Sequence, residues 1–410
     1  MTVTNEVYLR FCSLSVYKGI LGRSVVKAFF KLLSSLELPQ AEFLEAYGEL
    51  YSLLCQRGYS SRFAYCMQEA ALFDDNCFTR AATANSIDAL PQNVLYGAEF
   101  DLETVCMAAR LTPDDIVSAY KYKDSIKDIA SLLPKWETGE PARNFEGFNV
   151  DLKSVADFHK NNGCGMFARY HTFIWRAGGI EPVMHPDKVK ISDLKGYEYQ
   201  RSLVFNNTLS FIENKSCNNC LLYGDKGTGK STTVKAVFNE LKSKGLRIVE
   251  IPKERLMDFP LLVEAIAGIP MKFIIFIDDL SFQKQDESYA SLKAVLEGGL
   301  TAKPDNALIY ATSNRRHLVK ESFADNGASA DLHPKDSKEE GLSLSDRFGL
   351  SVCYSAPGKV KYLEIVLSLA QKNGITMDEA QLFDGAEKFA LERGGRSPRC
   401  AKQYIKSLFN

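Results

Sequence analysis

A glycine-rich turn lies between a short apolar run and a segment of helical periodicity in the middle of the chain. Residues 224–231 read Gly-Asp-Lys-Gly-Thr-Gly-Lys-Ser and match the phosphate-binding pattern G-x-x-x-x-G-K-[ST]. Glycines let backbone amides curl around phosphate oxygens, and the following helix terminus adds partial positive charge. In this pattern Lys230 bridges the β- and γ-phosphates of a nucleotide, and the Ser231 hydroxyl ligates Mg²⁺. The predicted nucleotide-binding residues of the turn are Gly224, Asp225, Lys226, Gly227, Thr228, Gly229, Lys230, Ser231 and Thr232.

The alternative is that the pattern matches by chance in a glycine-rich turn. At average residue frequencies such a match arises in about one chain in a hundred of this size. Its position, after a run of strand length and at the start of a helix, is where a phosphate-binding turn has to lie. The context therefore favours phosphate binding.

Two adjacent carboxylates, Asp278 and Asp279, follow the most apolar run of the chain, FIIFI at 273–277. Hydrolysis of a bound nucleotide requires such groups beside the phosphates. The pattern predicts that Asp278 holds Mg²⁺, usually through water, and that Asp279 orients and polarises the attacking water. The alternative is that the pair caps a buried strand, but the glycine-rich turn favours the catalytic interpretation.

A third polar residue, Asn314, ends the next apolar run, YATSN at 310–314. A polar side chain at the tip of a strand beside the carboxylates is able to reach both the γ-phosphate and the attacking water. The alternative is a turn asparagine, a common residue after strands. The assignment of Asn314 depends on its place in the series of strand ends.

The elements that must position these residues alternate between strands and helices. Five short apolar runs predict strands, namely CLLYG, LRIVEIP, KFIIFIDD, ALIYATS and LSVCYS. Apolar strands alternating with helical segments predict a parallel sheet that is buried on both faces, with its ligand at the carboxyl ends of the strands. Residues 1–133 differ, because their apolar residues recur at helical spacing, and we expect a mainly α-helical N-terminal region.

Composition limits the classes of protein to which the chain can belong. Its 410 residues are 45% hydrophobic and carry a net charge of −1, which is typical of a globular protein and does not indicate nucleic-acid or anionic-membrane binding. No apolar run has the roughly 18 residues of a membrane helix, and the start lacks secretory signal character. With ten scattered cysteines, these features predict a cytoplasmic protein with reduced thiols and no membrane partner.

Several long motifs together resemble one family. In order, the chain contains GYEYQ, LLYGDKGTGKS, FIIFIDDLSF, LEGG, IYATSNRRHL, LSLSDRFGL and RGGRSPR. These segments, from about residue 191 to residue 410, resemble the bacterial AAA+ ATPase family known as domain of unknown function 815, within the P-loop NTPase superfamily. The first 130 residues or so lack such distinctive motifs.

The resemblance implies further site residues. Arg347 matches the arginine finger that AAA+ proteins present to the γ-phosphate bound by a neighbouring subunit, which implies a homo-oligomer. Arg399 matches a second sensor arginine that couples a small lid to nucleotide state, for which Arg396 is a weaker candidate. Tyr197 lies where these proteins close over adenine and is a candidate to stack on the base; the alternative is a core tyrosine. Surface or salt-bridge roles are the alternatives for the arginines.

The resemblance also implies a domain plan and a fold class. We expect an AAA+ α/β P-loop NTPase with a five-stranded parallel core sheet and a C-terminal helical lid, preceded by the helical N-terminal region. The expected divisions are a helical region at 1–133, a linker and mixed segment at 134–190, a nucleotide-binding core at 191–355 and a lid at 356–410. The Asp278-Asp279 pair departs from the Asp-Glu of most AAA+ motors, and retracting a carboxylate by one methylene predicts slow turnover.

Three functional hypotheses follow. The first is an oligomeric, Mg²⁺-dependent ATPase that hydrolyses ATP to ADP and phosphate and does conformational work on a macromolecule, an unknown protein held by the N-terminal region. The second is a slowly hydrolysing nucleotide-dependent switch, which the Asp-Asp pair favours. The third is a DNA-associated ATPase, against which stand the near-neutral charge and the lack of a recognisable DNA-binding motif in the first 190 residues.

Overall fold

A computed structural model of the chain describes residues 2–56, 63–137, 152–281, 292, 293, 296, 304–314 and 347–409. The chain divides into two compact units, Met1–Arg169 and Tyr170–Asn410. The predicted linker at 134–190 is described only in part, since 138–151 lie outside the described residues. Across the part that the structure covers, no helix combines the length and the apolar character needed to cross a bilayer.

The N-terminal unit is helical, as its apolar periodicity predicts. The helix Ser24–Ser34 shows why, because Val25, Phe29 and Leu32 recur at helical spacing and are all buried. Side-chain caps fix other helix starts: Thr112 accepts a hydrogen bond from the amide of Asp115 at the start of the helix Pro113–Ala119. The helices are α1 (Val3–Cys12), α2 (Ser24–Ser34), α3 (Gln40–Gln56), α4 (Phe63–Leu72), α5 (Cys77–Thr83), α6 (Gln92–Ala109), α7 (Pro113–Ala119), α8 (Lys127–Ala130), α9 (Leu152–Asn162) and α10 (Gly165–Arg169).

The second unit is built on a seven-stranded sheet, which has two strands more than the five predicted. Its strands are β1 (Thr172–Arg176), β2 (Gly179–Pro182), β3 (Cys220–Gly224), β4 (Leu246–Glu250), β5 (Lys272–Ile277), β6 (Ala307–Ser313) and β7 (Leu350–Tyr354). The strand order is β2-β1-β4-β5-β6-β3-β7. Every neighbouring pair is parallel except β1 with β2. The five predicted strands are present, and β1 and β2 are added at one edge.

The two additional strands form a hairpin. Arg176 pairs with Gly179, and the two residues between them, Ala177 and Gly178, both have positive φ, at 47° and 78°. Two such residues make the tight turn that matches the twist of an antiparallel pair. The sheet therefore begins before residue 191, the predicted start of the core. Strand β2, GIEP, contains one large apolar residue, Ile180, which is too little to mark a strand in the sequence.

Helices of the second unit flank the sheet or follow it. They are α11 (Glu198–Ile212), α12 (Lys230–Leu241), α13 (Phe259–Ala267), α14 (Lys359–Lys372), α15 (Glu379–Glu392) and α16 (Pro398–Ser407). The last three share an apolar cluster of their own, in which Tyr362, Ala386 and Ala401 are fully buried. This cluster corresponds to the region predicted as a lid.

Candidate functional site

The glycine-rich turn joins the end of β3 to the start of α12, as the sequence predicts. Gly224, Gly227 and Gly229 have φ of 126°, 76° and 96°, a region that favours glycine. A Cβ at Gly224 would also lie 2.3 Å from the carbonyl oxygen of Tyr354 on β7. Glycine is therefore required at Gly224 for two independent reasons, backbone conformation and the close approach of β7.

Lys230 begins α12 and is only 7% exposed. Its Nζ donates to the carbonyl oxygens of Gly224 at 2.9 Å and Asp225 at 2.8 Å, and to Asn314 Oδ1 at 3.2 Å. Burial lowers the pKa of Lys230, while the neighbouring carboxylates, Asp225 first among them, act in the opposite direction. The ammonium group is thus held inside the turn, where phosphate oxygens of a ligand would lie.

Ser231 and Asp278 meet although they are far apart in sequence. The Ser231 hydroxyl donates to Asp278 Oδ1 at 2.5 Å, and Thr312 Oγ1 donates to the same oxygen at 2.6 Å. Thr312 lies on β6, in register with Leu222 of β3 and 2% exposed. Sequence reasoning did not select Thr312, because a threonine inside a strand looks like an ordinary β-former.

Asp279 lies just beyond β5 with φ of 53°, a conformation that Asp and Asn tolerate better than most residues. Its amide donates to Thr312 Oγ1 at 2.9 Å, and its Oδ1 accepts from Asn314 Nδ2 at 2.6 Å. Asn314 therefore bridges two predicted site residues, accepting from Lys230 through Oδ1 and donating to Asp279 through Nδ2. These two bonds fix the orientation of its amide.

The donor set at Ser231 and Asp278 fits Mg²⁺. The Ser231 hydroxyl oxygen and Asp278 Oδ1 are hard oxygen donors that lie 2.5 Å apart. Mg²⁺ is usually held by one or two protein oxygens together with water and substrate phosphates. Within the described ranges, no group of three or more His, Cys, Asp or Glu residues is placed to hold a metal ion. The described residues thus offer a site for a phosphate-bound ion and no all-protein cage.

A cleft of about 1130 Å³ opens beside the turn. This volume is sufficient for a nucleoside triphosphate, since ligand sites commonly measure about 300–1,000 Å³. The predicted site residues that line it are Lys226, Gly227, Thr228, Gly229, Lys230, Ser231, Thr232, Asp278, Asp279, Asn314, Tyr197 and Arg399. Gly224 and Asp225 lie at the base of the turn, where Asp225 Oδ2 accepts from the amide of Ala356 at 2.6 Å.

Tyr197 lies at one side of the cleft, immediately before α11. Its hydroxyl donates to the carbonyl oxygen of Ser355 at 2.6 Å, and its ring centroid lies 5.1 Å from that of Tyr354. Burial raises the pKa of Tyr197 to about 12, and the charge of Asp225 adds to the shift. One face of the ring is therefore engaged with Tyr354, while the side chain still borders the cleft.

The two C-terminal arginine candidates differ in their partners. Arg399 lines the cleft, and its amide donates to the carbonyl oxygen of Gly227 at 3.2 Å. Arg396 instead donates twice to Glu387, at 2.9 and 2.6 Å. Of the two, Arg399 is the one that the structure brings to the glycine-rich turn.

Arg347 is exposed and lies three residues before β7, and it does not line the cleft. Leu350 pairs with Cys220 at the amino ends of β7 and β3, whereas the glycine-rich turn follows the carboxyl end of β3. Five strand residues at about 3.3 Å each separate the two edges by roughly 16 Å. The structure therefore does not bring Arg347 to the cleft of its own chain.

Comparison with known proteins gives one sequence match and several structural ones. The sequence model of the family described as "Protein of unknown function (DUF815)" matches residues 168–410. A mutant of RuvB from Thermotoga maritima is 16% identical, with 53% of this chain and 63% of that chain covered and a TM-score of 0.36. AMPPCP-bound DnaA from Aquifex aeolicus is 15% identical, with 55% and 66% covered and a TM-score of 0.39.

The match to this RuvB spans less than two thirds of that protein. No protein with curated annotation matches the chain in sequence. Both TM-scores are low. The assignment of the chain to a family therefore rests on the sequence match over residues 168–410.

Proposed function

The chain belongs to the DUF815 family of proteins of unknown function, and we propose that it is an AAA+ ATPase that hydrolyses ATP and does conformational work on a macromolecular partner. One observation carries the proposal. Five polar residues from three separate parts of the chain meet at the carboxyl edge of the sheet. Hydrogen bonds join Lys230 to Asn314, Ser231 to Asp278, and Asn314 to Asp279. This is the constellation that phosphoryl transfer to water requires.

In the proposed mechanism the triphosphate lies along the glycine-rich turn. Backbone amides of the turn and the amino terminus of α12 bind its oxygens, and Lys230 neutralises charge on the β- and γ-phosphates. Ser231 and Asp278 would hold Mg²⁺, which supplies further charge neutralisation to the phosphate oxygens. These residues fix the phosphate chain and stabilise the charge that develops during transfer.

Asp279 and Asn314 serve the attacking water in this mechanism. Asp279 orients the water and accepts its proton as the oxygen attacks the γ-phosphorus, and the bond to the bridging oxygen of the departing ADP breaks. Asn314 contacts the γ-phosphate and, through its 2.6 Å bond, fixes the position of the Asp279 carboxylate. The products are ADP and inorganic phosphate.

Two arginines complete the proposed site. Arg399 contacts the phosphates from α16 and couples the C-terminal helices, acting as a lid, to the state of the nucleotide. Arg347 acts on the cleft of a neighbouring copy, because it lies at the opposite edge of its own sheet. The active protein is then a homo-oligomer. The N-terminal helical unit, which has its own apolar core, is the part proposed to hold the protein partner.

Substitution of Lys230 tests the ATPase proposal. We expect Lys230→Ala to abolish turnover and to weaken ATP binding, because it removes the ammonium group that the carbonyl oxygens of Gly224 and Asp225 hold inside the turn. Lys244→Ala is the matched control, since Lys244 is exposed beyond the end of α12 and does not line the cleft. ATP turnover and equilibrium binding should be measured for both. Full activity of Lys230→Ala would show that the turn is not the active site.

A slowly hydrolysing switch is the second candidate, and the contacts of Asp279 favour it. Its carboxylate is one methylene shorter than glutamate and already accepts a hydrogen bond from Asn314. A switch should bind ATP tightly and turn over very slowly even at high protein concentration. In that case Asp279→Asn, which suits the positive φ equally well, should change turnover little. In an efficient ATPase the same substitution should abolish it.

A further inference from the structure

The cleft carries more positive charge than one triphosphate needs. Among the residues that the structure describes, ten basic and four acidic side chains line it, although the whole chain has a net charge of −1. Lys230 and Arg399 are assigned above to the triphosphate. The remaining excess points to a further anionic group in the same cleft.

The protein itself neutralises some of these cations. Lys372 Nζ lies 2.6 Å from Asp193 Oδ1, which ties the segment before α11 to α14. Arg201 donates to the carbonyl oxygen of Gly196 and lies 3.3 Å from Glu198 Oε1. Apart from Lys230, the other lysines on the cleft have no hydrogen bond or ion pair with any described residue. Four such lysines lie away from the glycine-rich turn: Lys188, Lys195, Lys402 and Lys406.

Lys402 and Lys406 continue the row that Arg399 begins. The three lie at spacings of three and four residues, so they share one face of α16. Arg399 touches the turn, with its amide 3.2 Å from the Gly227 carbonyl oxygen. At 1.5 Å of rise per residue, Lys402 and Lys406 lie roughly 4.5 and 10 Å farther along the helix. They therefore line the cleft farther along this helix than Arg399, which touches the turn.

Lys188 and Lys195 reach the same cleft from the segment before α11. Asn239 on α12 holds this segment by donating to the carbonyl oxygens of Asp187 and Val189, at 2.8 and 3.0 Å. Asp187 is the carboxylate that remains on this wall, since Lys372 neutralises Asp193. Four lysines against Asp187 leave a net positive charge on this part of the cleft.

We propose that Lys188, Lys195, Lys402 and Lys406 bind a second phosphate group, carried on the 2′- or 3′-hydroxyl of the bound nucleotide's ribose. The proposal rests on the proposed function, because the triphosphate must first occupy the turn. A phosphate monoester carries about −1.5 to −2 charges at neutral pH, and lysines bind phosphate as point charges. The preferred ligand is then an adenosine 5′-triphosphate with an added ribose phosphate.

Calorimetric titration of the full chain with ATP, and with its 2′- and 3′-phosphorylated derivatives, tests the proposal. All titrations contain Mg²⁺ and the same salt concentration. We expect one derivative to bind about tenfold more tightly than ATP, as a charge-assisted contact of this kind allows. The double variant Lys402→Gln/Lys406→Gln should lose most of this preference. Lys388→Gln should keep it, because Lys388 is paired with Asp384 and does not line the cleft.

The possible results separate the two proposals. If ATP fails to bind, or binds equally well to Lys230→Ala, both the ATPase proposal and this one are wrong. If ATP binding depends on Lys230 but neither ribose phosphate improves affinity, only this inference is overturned. An equal loss of affinity for all three nucleotides in the double variant would show general attraction of anions and also overturn it. Binding of a single-stranded oligonucleotide through Lys402 and Lys406, in place of the derivatives, would likewise overturn this inference.

Discussion

The hydroxyl of Thr312 donates to Asp278 Oδ1 at 2.6 Å, the same carboxylate oxygen that the Ser231 hydroxyl contacts at 2.5 Å. The Thr312 hydroxyl also accepts from the amide of Asp279 at 2.9 Å. One buried hydroxyl on β6 therefore fixes the carboxylate proposed for Mg²⁺ and the backbone of the carboxylate proposed for water. Asp279 has a φ of 53°, and this hydrogen bond helps to hold that uncommon conformation.

Thr312→Val should lower ATP turnover by about ten- to a hundredfold, the usual effect of removing a partner that orients a metal ligand. Valine preserves the shape of the buried side chain, and the glycine-rich turn is untouched, so ATP affinity should fall much less. Steady-state turnover and equilibrium ATP binding measure the two effects.

Thr312→Ser is the matched control because it retains the hydroxyl. It should keep most of the activity, with a small loss of stability from the missing methyl group. Equal activity of the valine and serine variants would show that the hydroxyl has no part in positioning the carboxylates.

Much of the candidate site can be predicted from sequence because it lies at the ends of parallel strands. Asp278, Asn314 and the glycine-rich turn each follow an apolar run, and carboxyl ends of parallel strands share one edge of a sheet. Thr312 could not be selected in this way, because its role depends on the register of β6 against β3. That register brings distant residues together and leaves no local signal.

The hairpin of β1 and β2 was missed for a related reason. Strand β2 contains one large apolar residue, Ile180, and β1 pairs with β4, with Thr172 opposite Ile248. A pairing over such a sequence distance cannot be read from local periodicity. The role of Arg347 is hard to predict for a different reason. Its proposed target is the cleft of another copy of the chain, and neither the sequence nor the structure of one chain shows that contact.

Mixing two inactive variants tests the proposed role of Arg347 between subunits. Arg347→Ala should lower turnover by roughly a thousandfold, as loss of an arginine finger commonly does. Lys230→Ala lacks a working nucleotide site but still presents Arg347 to its neighbour. A mixture of the two should therefore recover part of the wild-type turnover, and the recovered rate should rise with total protein concentration.

The outcome distinguishes action between chains from action within one chain. If each mixture is no more active than the sum of its components, and turnover per wild-type chain does not change with dilution, Arg347 does not complete a neighbouring site. Size-exclusion chromatography of both variants confirms that they still assemble.

The two C-terminal arginines should respond differently to removal. Arg399→Ala should lower turnover by about a hundredfold, as loss of one donor to developing charge does, because its backbone is anchored at Gly227 and its side chain lines the cleft. Arg396→Ala should instead lower the melting temperature slightly, since it breaks the paired bonds to Glu387. Turnover and thermal unfolding of both variants measure this difference. Loss of turnover in Arg396→Ala with a fully active Arg399→Ala would reverse the assignment.

Stability below neutral pH should depend on His171, which lies just before β1. Burial lowers the pKa of His171 to about 4, and the positive charges of Arg247 and Lys242 add to the shift. The unfolded chain takes up this proton near pH 6.5, while the folded protein does so only near pH 4. Lowering the pH through this window therefore favours the unfolded state, and above it His171 is neutral in both states.

His171→Gln removes this proton uptake and should flatten the loss of stability between pH 6.5 and 4. His171 is only partly buried, so solvent screening reduces the effect, and we expect the two proteins' unfolding free energies to diverge by about 1 kcal/mol across the window. Urea unfolding at pH 7.5, 5.5 and 4.5 measures the difference directly. Carboxylates also titrate at the acidic end, but they are common to both proteins and cancel in the comparison. Parallel pH profiles for the two proteins would show that His171 titrates normally in the folded state, and that the charges of Arg247 and Lys242 do not reach it.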